Sequence, residues 1–246
     1  MNHSTGAILF SLIVPAYNEE LRIGKSLEQI LPFCNALGAP YEIIVVDDGS
    51  ADGTVALVER RFGGRPHLQV IRRPARAGKG GAVRAGILAA RGEYLFFSDA
   101  DLSVPIATLP AFLDALRERC DIAIGSRRAP GAKIEVRQPR LRELLARVFT
   151  FLSNALLGLR YSDLTCGFKG FRRDAAHELF LRQRLCNWSF DCELLLIARL
   201  KNYRVEEIPV SWRNAQGTKV RLWKDAAGSF LGLVEIRWHQ WLGRYR

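Results

Sequence analysis

Histidine, cysteine and methionine are scarce in this chain, and acidic residues are outnumbered. His3, His67, His177 and His239 are dispersed with no metal-ligand spacing and read as structural or surface residues. Cys34, Cys120, Cys166, Cys186 and Cys192 are odd in number, scattered, and form no C-x-x-C pair. Neither a zinc site nor a disulfide framework is indicated, and a reducing, cytosolic setting fits. No run approaches the roughly 18 to 20 apolar residues that span a bilayer, and no N-terminal stretch has the build of a signal peptide. The chain is therefore expected to be soluble or peripheral. Internal repeats and low-complexity linkers are also absent.

The two common nucleotide fingerprints fail on inspection. A Walker A loop would need Gly at 73 and Ser or Thr at 80, where Arg73 and Gly80 stand; a G-x-G-x-x-G would need Gly at 83, which is Val83. With 36 Lys and Arg against 25 Asp and Glu, the net charge is +11. That excess calls for an anionic partner, whether nucleic acid, an anionic membrane surface or a phosphorylated substrate. Hydrophobic residues make up 48% of the 246, ample for one large α/β domain or two small ones.

What is present is an alternation of strands and helices. Ile8 to Val14, Tyr41 to Val46, Leu68 to Ile71 and Tyr94 to Phe97 are apolar runs that read as strands. Helices are expected at about Arg22 to Leu37, up to Phe62, up to Ala90, and over Ile106 to Arg119, with a further strand at Asp121 to Gly125. The pattern predicts a doubly wound, largely parallel sheet, whose ligands bind outside the carboxyl ends of the strands. In the less regular second half, a loop is expected up to Pro139 and a helical spacing runs from Arg140 to Arg160. Asp163 to Gly170 carries no assigned element. Helices are then expected over Arg173 to Phe180 and from Phe190 to Leu200, a strand over Val205 to Val210, and a basic, aromatic tail from Leu222 to Arg246.

The candidate chemistry sits at strand ends. Tyr94 to Phe97 runs into Ser98-Asp99-Ala100-Asp101, where Asp99 and Asp101 can converge on one hard cation while Ala100 leaves room for a ligand. Taken alone, the same residues describe a polar turn. Asp47 and Asp48 emerge from an apolar strand, and one of them suits a base N–H or a ribose hydroxyl. Asp52 and Thr54 read as helix-start residues. Arg76, Lys79 and the exposed N–H groups of a helix N-terminus suit a diphosphate. Arg127 and Arg128 end another strand, where guanidinium groups fit phosphate oxygens.

Taken in order and spacing, Val14-Pro15-Ala16-Tyr17-Asn18-Glu19-Glu20, Val45-Val46-Asp47-Asp48-Gly49-Ser50, Gly78-Lys79-Gly80-Gly81-Ala82, Asp99-Ala100-Asp101 and Gly125-Ser126-Arg127 resemble the family 2 glycosyltransferases. Asp163-Leu164-Thr165-Cys166-Gly167-Phe168-Lys169, Phe190-Asp191-Cys192-Glu193-Leu194-Leu195 and Ile208-Pro209-Val210-Ser211-Trp212 look like the dolichyl-phosphate β-glucosyltransferases within them. The resemblance runs from about Leu9 to Lys219. It implies a GT-A fold over residues 1–221, with a nucleotide-sugar half to about 125 and an acceptor half from about 126, followed by a tail of residues 222–246 suited to an interface.

The resemblance further implies a nucleotide-sugar donor such as UDP-glucose, Mg²⁺ or Mn²⁺ as cofactor, and a polyprenyl-phosphate acceptor. Pro15, Tyr17, Glu19 and Asp47 would face the nucleoside, Asp99 and Asp101 the metal and diphosphate, Arg127 the acceptor phosphate, and Lys219 both phosphates. Ser103 stands where related mannosyltransferases have Gln. A hydroxyl acceptor would need a general base, for which Asp191 and Glu193 are candidates, with structural roles as the alternative. Such an enzyme would work peripherally at a cytoplasmic membrane surface through the Arg140 to Arg160 stretch and the tail, or dock to a membrane protein. Mannosyl transfer from GDP-mannose, transfer to a sugar hydroxyl, and a nucleic-acid-binding module are the rival readings. The last of these leaves the acidic strand ends without a purpose, so no nucleic-acid partner is expected.

Overall fold

Four apolar runs of the first half, Phe10–Ala16 (β1), Tyr41–Asp47 (β2), Leu68–Arg72 (β3) and Tyr94–Ser98 (β4), pair in parallel in the order β3-β2-β1-β4. Residues 7–214 and 222–246 are described in this computed structural model. The crossovers are α1 (Ile23–Ala36), α2 (Thr54–Phe62) and α3 (Lys79–Ala89), and α4 (Leu109–Glu118) follows β4 after a short 3-10 turn. Beyond it lie β5 (Ile122–Ser126), β6 (Lys133–Val136), α5 (Arg140–Leu157), β7 (Phe168–Arg172), α6 (Arg173–Arg182), α7 (Phe190–Leu200), β8 (Val205–Pro209), β9 (Ser211–Arg213) and α8 (Leu222–Trp241). Among the described residues, seven strands form one sheet in the order β3-β2-β1-β4-β7-β5-β8.

Both sheet faces are covered, and alternate side chains of each strand feed different cores. Phe10, Leu12, Val14, Ile43, Val45 and Phe96 face one side, with α1 and α4; Ile13, Ile44, Val46, Leu95 and Phe97 face the other, with α3, α6 and α7. This is why β1, β2 and β4 read as continuous apolar runs rather than alternating ones. Each fully buried Leu, Ile or Phe contributes roughly 1.5–3 kcal/mol of transfer free energy.

The expected doubly wound, mostly parallel sheet is present, with one correction. Phe168–Arg172, which the sequence left without an element, is strand β7, inserted antiparallel between β4 and β5. Lys169 and Gly170 hide it, because a charged residue in mid-strand reads as loop. Lys169 is nevertheless buried, and its charge is matched by Asp191. The expected loop before Pro139 likewise contains β6, which pairs with β9 in a small parallel ribbon. β9 and α8 likewise lie where no element was assigned, and the remaining elements differ from expectation at their ends, as helix boundaries do.

β1 pairs with β2 on one side and with β4 on the other, so the strand order reverses at β1. The crevice outside its carboxyl end is therefore the topological switch point, where open α/β sheets bind ligands.

Candidate active site

The loops after β1 and β2 interlock. Asn18 N–H donates to Ser50 Oγ at 2.8 Å, Ala51 N–H to Asn18 Oδ1 at 2.8 Å, and Glu19 N–H to Thr54 Oγ1 at 2.7 Å. Glu19 grips Arg22 through both carboxylate oxygens, at 2.7 and 2.8 Å. Tyr17 lies beneath the Arg76 guanidinium, 4.2 Å from ring to cation. Pro15 lies in β1 opposite Val46.

The two aspartates after β2 divide their work. Asp48 accepts the N–H groups of Ala77 and Gly78 at 3.0 and 2.8 Å and pairs with Arg73 at 3.3 Å, so it is committed to holding the glycine-rich loop. Asp47 is buried and accepts the Ser50 N–H at 3.2 Å. The residues alone left the choice between them open and the family resemblance named Asp47; the structure leaves Asp47 the less engaged of the two.

Several of the N–H groups expected to be exposed in the glycine-rich loop are spent within the fold. Ala77 and Gly78 donate to Asp48, and Gly80 donates to Cys186 O at 2.9 Å. Gly78 has φ +103, and a Cβ there would lie 2.5 Å from Cys186 O, so glycine is required by both conformation and space. What the loop delivers to the crevice is Lys79. Its ammonium is 2.5 Å from Asp99 Oδ1, with the Phe97 and Trp188 rings at 5.7 and 5.5 Å. Burial disfavours the ammonium, but the carboxylates of Asp99 and Asp191 outweigh it and leave the Lys79 pKa above its ordinary value.

Asp99 and Asp101 close β4. Asp99 packs against Gly167, where a Cβ would lie 1.9 Å from Asp99 Oδ2. Asp101 Oδ1 accepts the Ser103 N–H at 2.9 Å, and Ala100 O accepts the Ser26 hydroxyl at 2.6 Å, so α1 and the following turn fix the bend. Burial and then the Asp99 charge raise the Asp101 pKa, which places the two carboxylates within electrostatic reach of each other. A divalent cation would relieve that repulsion. Among the described residues no third His, Cys, Asp or Glu completes a metal cluster with them. Two carboxylates fit an ion that takes its other ligands from water and substrate phosphates, as Mg²⁺ sites commonly do.

After β5, Arg127 is held by Asp163. Nε donates to Asp163 Oδ2 at 2.6 Å and Nη2 to Asp163 Oδ1 at 2.8 Å and Thr165 Oγ1 at 3.1 Å, with Trp212 beneath at 5.5 Å. The Nη1 edge has no hydrogen-bond partner among the described residues. Arg128 turns away, donating to Thr150 Oγ1 and Ser162 O. Lys219 lies outside the described residues.

Burial alone would raise the Asp163 carboxyl, but the Arg127 charge and hydrogen bonds hold its pKa down at about 2, against an ordinary 3.8. A depressed carboxylate stabilises the fold fully above 3.8, and that contribution disappears as pH falls through about 2. The shift amounts to about 2 kcal/mol. Urea unfolding between pH 5 and 2 should therefore show a steeper loss of stability in the wild type than in Asp163→Asn; equal slopes would contradict the pairing.

Both candidate bases lie inside. Asp191 pairs with Lys169 at 2.7 Å, and both side chains are buried. Burial raises the Asp191 pKa, against the opposing charges of Lys169 and Lys79. Glu193 accepts the N–H groups of Arg184 and Leu185 and the Tyr245 hydroxyl. Sequence reasoning did not find the partners Asp163, Gly167, Trp188 and Trp212. Asp163, Gly167 and Trp212 stood inside quoted motifs, but their contacts are made across tens of residues and have no local signal.

The profile of glycosyl transferase family 2 matches residues 11–180. The chain belongs to that family. Among curated relatives, this glycosyltransferase is 38% identical to the dolichyl-phosphate beta-glucosyltransferase of Drosophila melanogaster, over 85% of this chain and 68% of the relative. It is 32% identical to that of Dictyostelium discoideum and 33% to that of Saccharomyces cerevisiae, each over 97% of this chain and 77% of the relative. Among solved structures, glucosyl-3-phosphoglycerate synthase from Mycobacterium tuberculosis, in complex with Mn²⁺, UDP and glucosyl-3-phosphoglycerate, superposes with a TM-score of 0.69 at 21% identity. The match covers 93% of this chain and 80% of that one. The fold is the GT-A fold anticipated from the sequence.

Proposed function

We propose that this glycosyltransferase moves glucose, with inversion, from UDP-glucose to a polyprenyl (dolichyl-type) phosphate at the cytoplasmic surface of a membrane, with Mg²⁺ or Mn²⁺. The observation that carries the reading is the Asp99, Asp101 and Lys79 cluster at the end of β4, a set suited to a metal-bound diphosphate. The sugar and the acceptor follow the names of the relatives, and the UDP and Mn²⁺ bound in the mycobacterial enzyme support a uridine donor and a divalent ion.

In this reading Asp99 and Asp101 hold the ion, which when bound supplies Lewis-acid neutralisation of the departing diphosphate. With Asp99 so engaged, the Lys79 ammonium is free to turn to the diphosphate oxygens. Tyr17 and Arg76 form one wall of the nucleoside side and Pro15 its floor. Asp47 is the carboxylate available to a base or ribose, while Glu19 orients Arg22. Arg127, clamped by Asp163, offers its Nη1 edge to the acceptor phosphate. A phosphate oxygen attacks the anomeric carbon from the face opposite UDP. The new C–O bond forms as the bond to the β-phosphate oxygen breaks, and UDP leaves with the electron pair.

A phosphate monoester, with a second pKa of about 6, is mostly dianionic at neutral pH and needs no general base. That agrees with Asp191 and Glu193 lying in buried, partnered positions, where we assign them the roles of counterion and clamp. No helix among the described residues is long and apolar enough to cross a membrane. Instead α5 and α8 pack together, Phe149 meeting Phe230 edge-on at 5.6 Å. They expose Leu144, Val148, Phe151, Leu231, Trp238 and Trp241, with Arg140, Arg147 and Arg237 also exposed on these helices, a composition suited to an anionic lipid surface.

Incubation with UDP-glucose, Mn²⁺ and dolichyl phosphate in anionic vesicles should yield a glucosylated lipid that partitions into organic solvent, and GDP-mannose should not replace the donor. Mannosyl lipid as the main product would overturn the donor, and glucose appearing only on a sugar hydroxyl would overturn the acceptor.

A further inference from the structure

Tyr245 is fully buried, and its hydroxyl donates to Glu193 Oε1 at 2.7 Å. Glu193, in the first turn of α7, accepts the Arg184 N–H at 3.1 Å and the Leu185 N–H at 2.9 Å, so it fastens the segment between α6 and α7. Burial raises the Glu193 pKa, and a buried carboxylate of this kind depends on each donor it has.

The fastened segment lies directly against the glycine-rich loop. Cys186 O accepts the Gly80 N–H at 2.9 Å, and Gln183 Nε2 donates both to Gly80 O at 3.0 Å and to Leu185 O at 2.7 Å. The Trp188 ring stands 5.5 Å from the Lys79 ammonium. On its other side the same segment carries α8. Ser189 Oγ donates to Ser229 O at 3.1 Å, and a Cβ at Gly232 would lie 2.3 Å from Ser189 Oγ. Leu185, Leu233 and Ile236 are buried in one cluster.

A carboxylate needed only for packing would be replaced without loss by an apolar side chain. Here its bonds instead run in an unbroken line from Tyr245 through residues 184–186 to Gly80, next to Lys79. We propose that Tyr245 is a positioning residue for the donor site: acting through Glu193, it sets the 184–188 segment and thereby the Gly80 backbone and the Lys79 ammonium. The inference rests on the reading of Lys79 as a diphosphate ligand for its effect on catalysis, but not for the coupling itself.

Tyr245→Phe removes the hydroxyl and keeps the ring. Tyr203→Phe is the control, since it removes a comparable hydroxyl bonded to Glu178 at 2.5 Å, away from the crevice. Hydrogen–deuterium exchange of residues 77–82 should speed up about tenfold in Tyr245→Phe, the effect of one lost hydrogen bond to a charged group, and stay at the wild-type rate in Tyr203→Phe. The KM for UDP-glucose should rise while the KM for dolichyl phosphate does not, a split that simple loss of folded protein would not produce. Unchanged exchange in residues 77–82 overturns the proposal. Faster exchange with an unchanged KM for UDP-glucose upholds the coupling and removes the diphosphate role of Lys79.

Discussion

Asp101→Asn should reduce kcat for glucosyl transfer by roughly 10²- to 10³-fold, the scale on which one preorganised electrostatic partner of a developing charge contributes. The amide oxygen can still accept the Ser103 N–H, so the turn after β4 should keep its shape. The substitution also removes one of two neighbouring, partly buried charges, and the raised Asp101 pKa marks that charge as unfavourable in the folded protein. The melting temperature should therefore hold or rise while transfer collapses. A purely structural Asp101 would show the reverse, a lowered melting temperature with kcat per folded molecule retained. Steady-state rates and a thermal melt on the same preparation separate the two.

The largest stability effect is expected away from the reacting atoms. Lys169→Met leaves Asp191 buried without its ion-pair partner, and breaking a buried pair in this way costs about 3–5 kcal/mol. Adding Asp191→Leu should recover most of the loss, because two apolar side chains satisfy the interior better than one stranded charge. Urea unfolding of the single and double variants measures both numbers. A single variant within 1 kcal/mol of the wild type, a margin typical of exposed pairs, would contradict the account of β7 as a strand held by a buried charge pair.

Much of this arrangement was legible in the sequence because parallel strands buried on both faces leave a simple record. Tyr41 to Val46 and Tyr94 to Phe97 could hardly be anything else, and Asp47 and Asp99 stand where those runs stop, as Arg127 does after Asp121 to Gly125. The antiparallel strand was not legible, because Phe168-Lys169-Gly170-Phe171-Arg172 satisfies its buried lysine through α7, far along the chain. For the same reason Arg127 read as an open phosphate ligand. Its fork is filled by Asp163 at a separation of 36 residues, and only the folded chain shows that one edge remains. The glycine-rich loop misled in the opposite direction. Its glycines suggested exposed N–H groups, whereas Gly78 serves close approach to the Cys186 carbonyl and Gly80 close approach to Phe190, with the Gly80 N–H spent on Cys186 O. The tail, expected as an interfacial segment, also feeds the core: Leu233, Ile236 and Tyr245 are buried, while Leu231, Trp238 and Trp241 are exposed.

The central claim is that Asp99 and Asp101 act by holding a divalent ion against the donor diphosphate. It is tested most directly by running the transfer from UDP-glucose to dolichyl phosphate in excess EDTA and then adding back Mn²⁺. The account predicts that glucosyl-lipid formation stops in EDTA and returns with Mn²⁺ in the wild type, but not in Asp101→Asn. Full turnover in EDTA would contradict it.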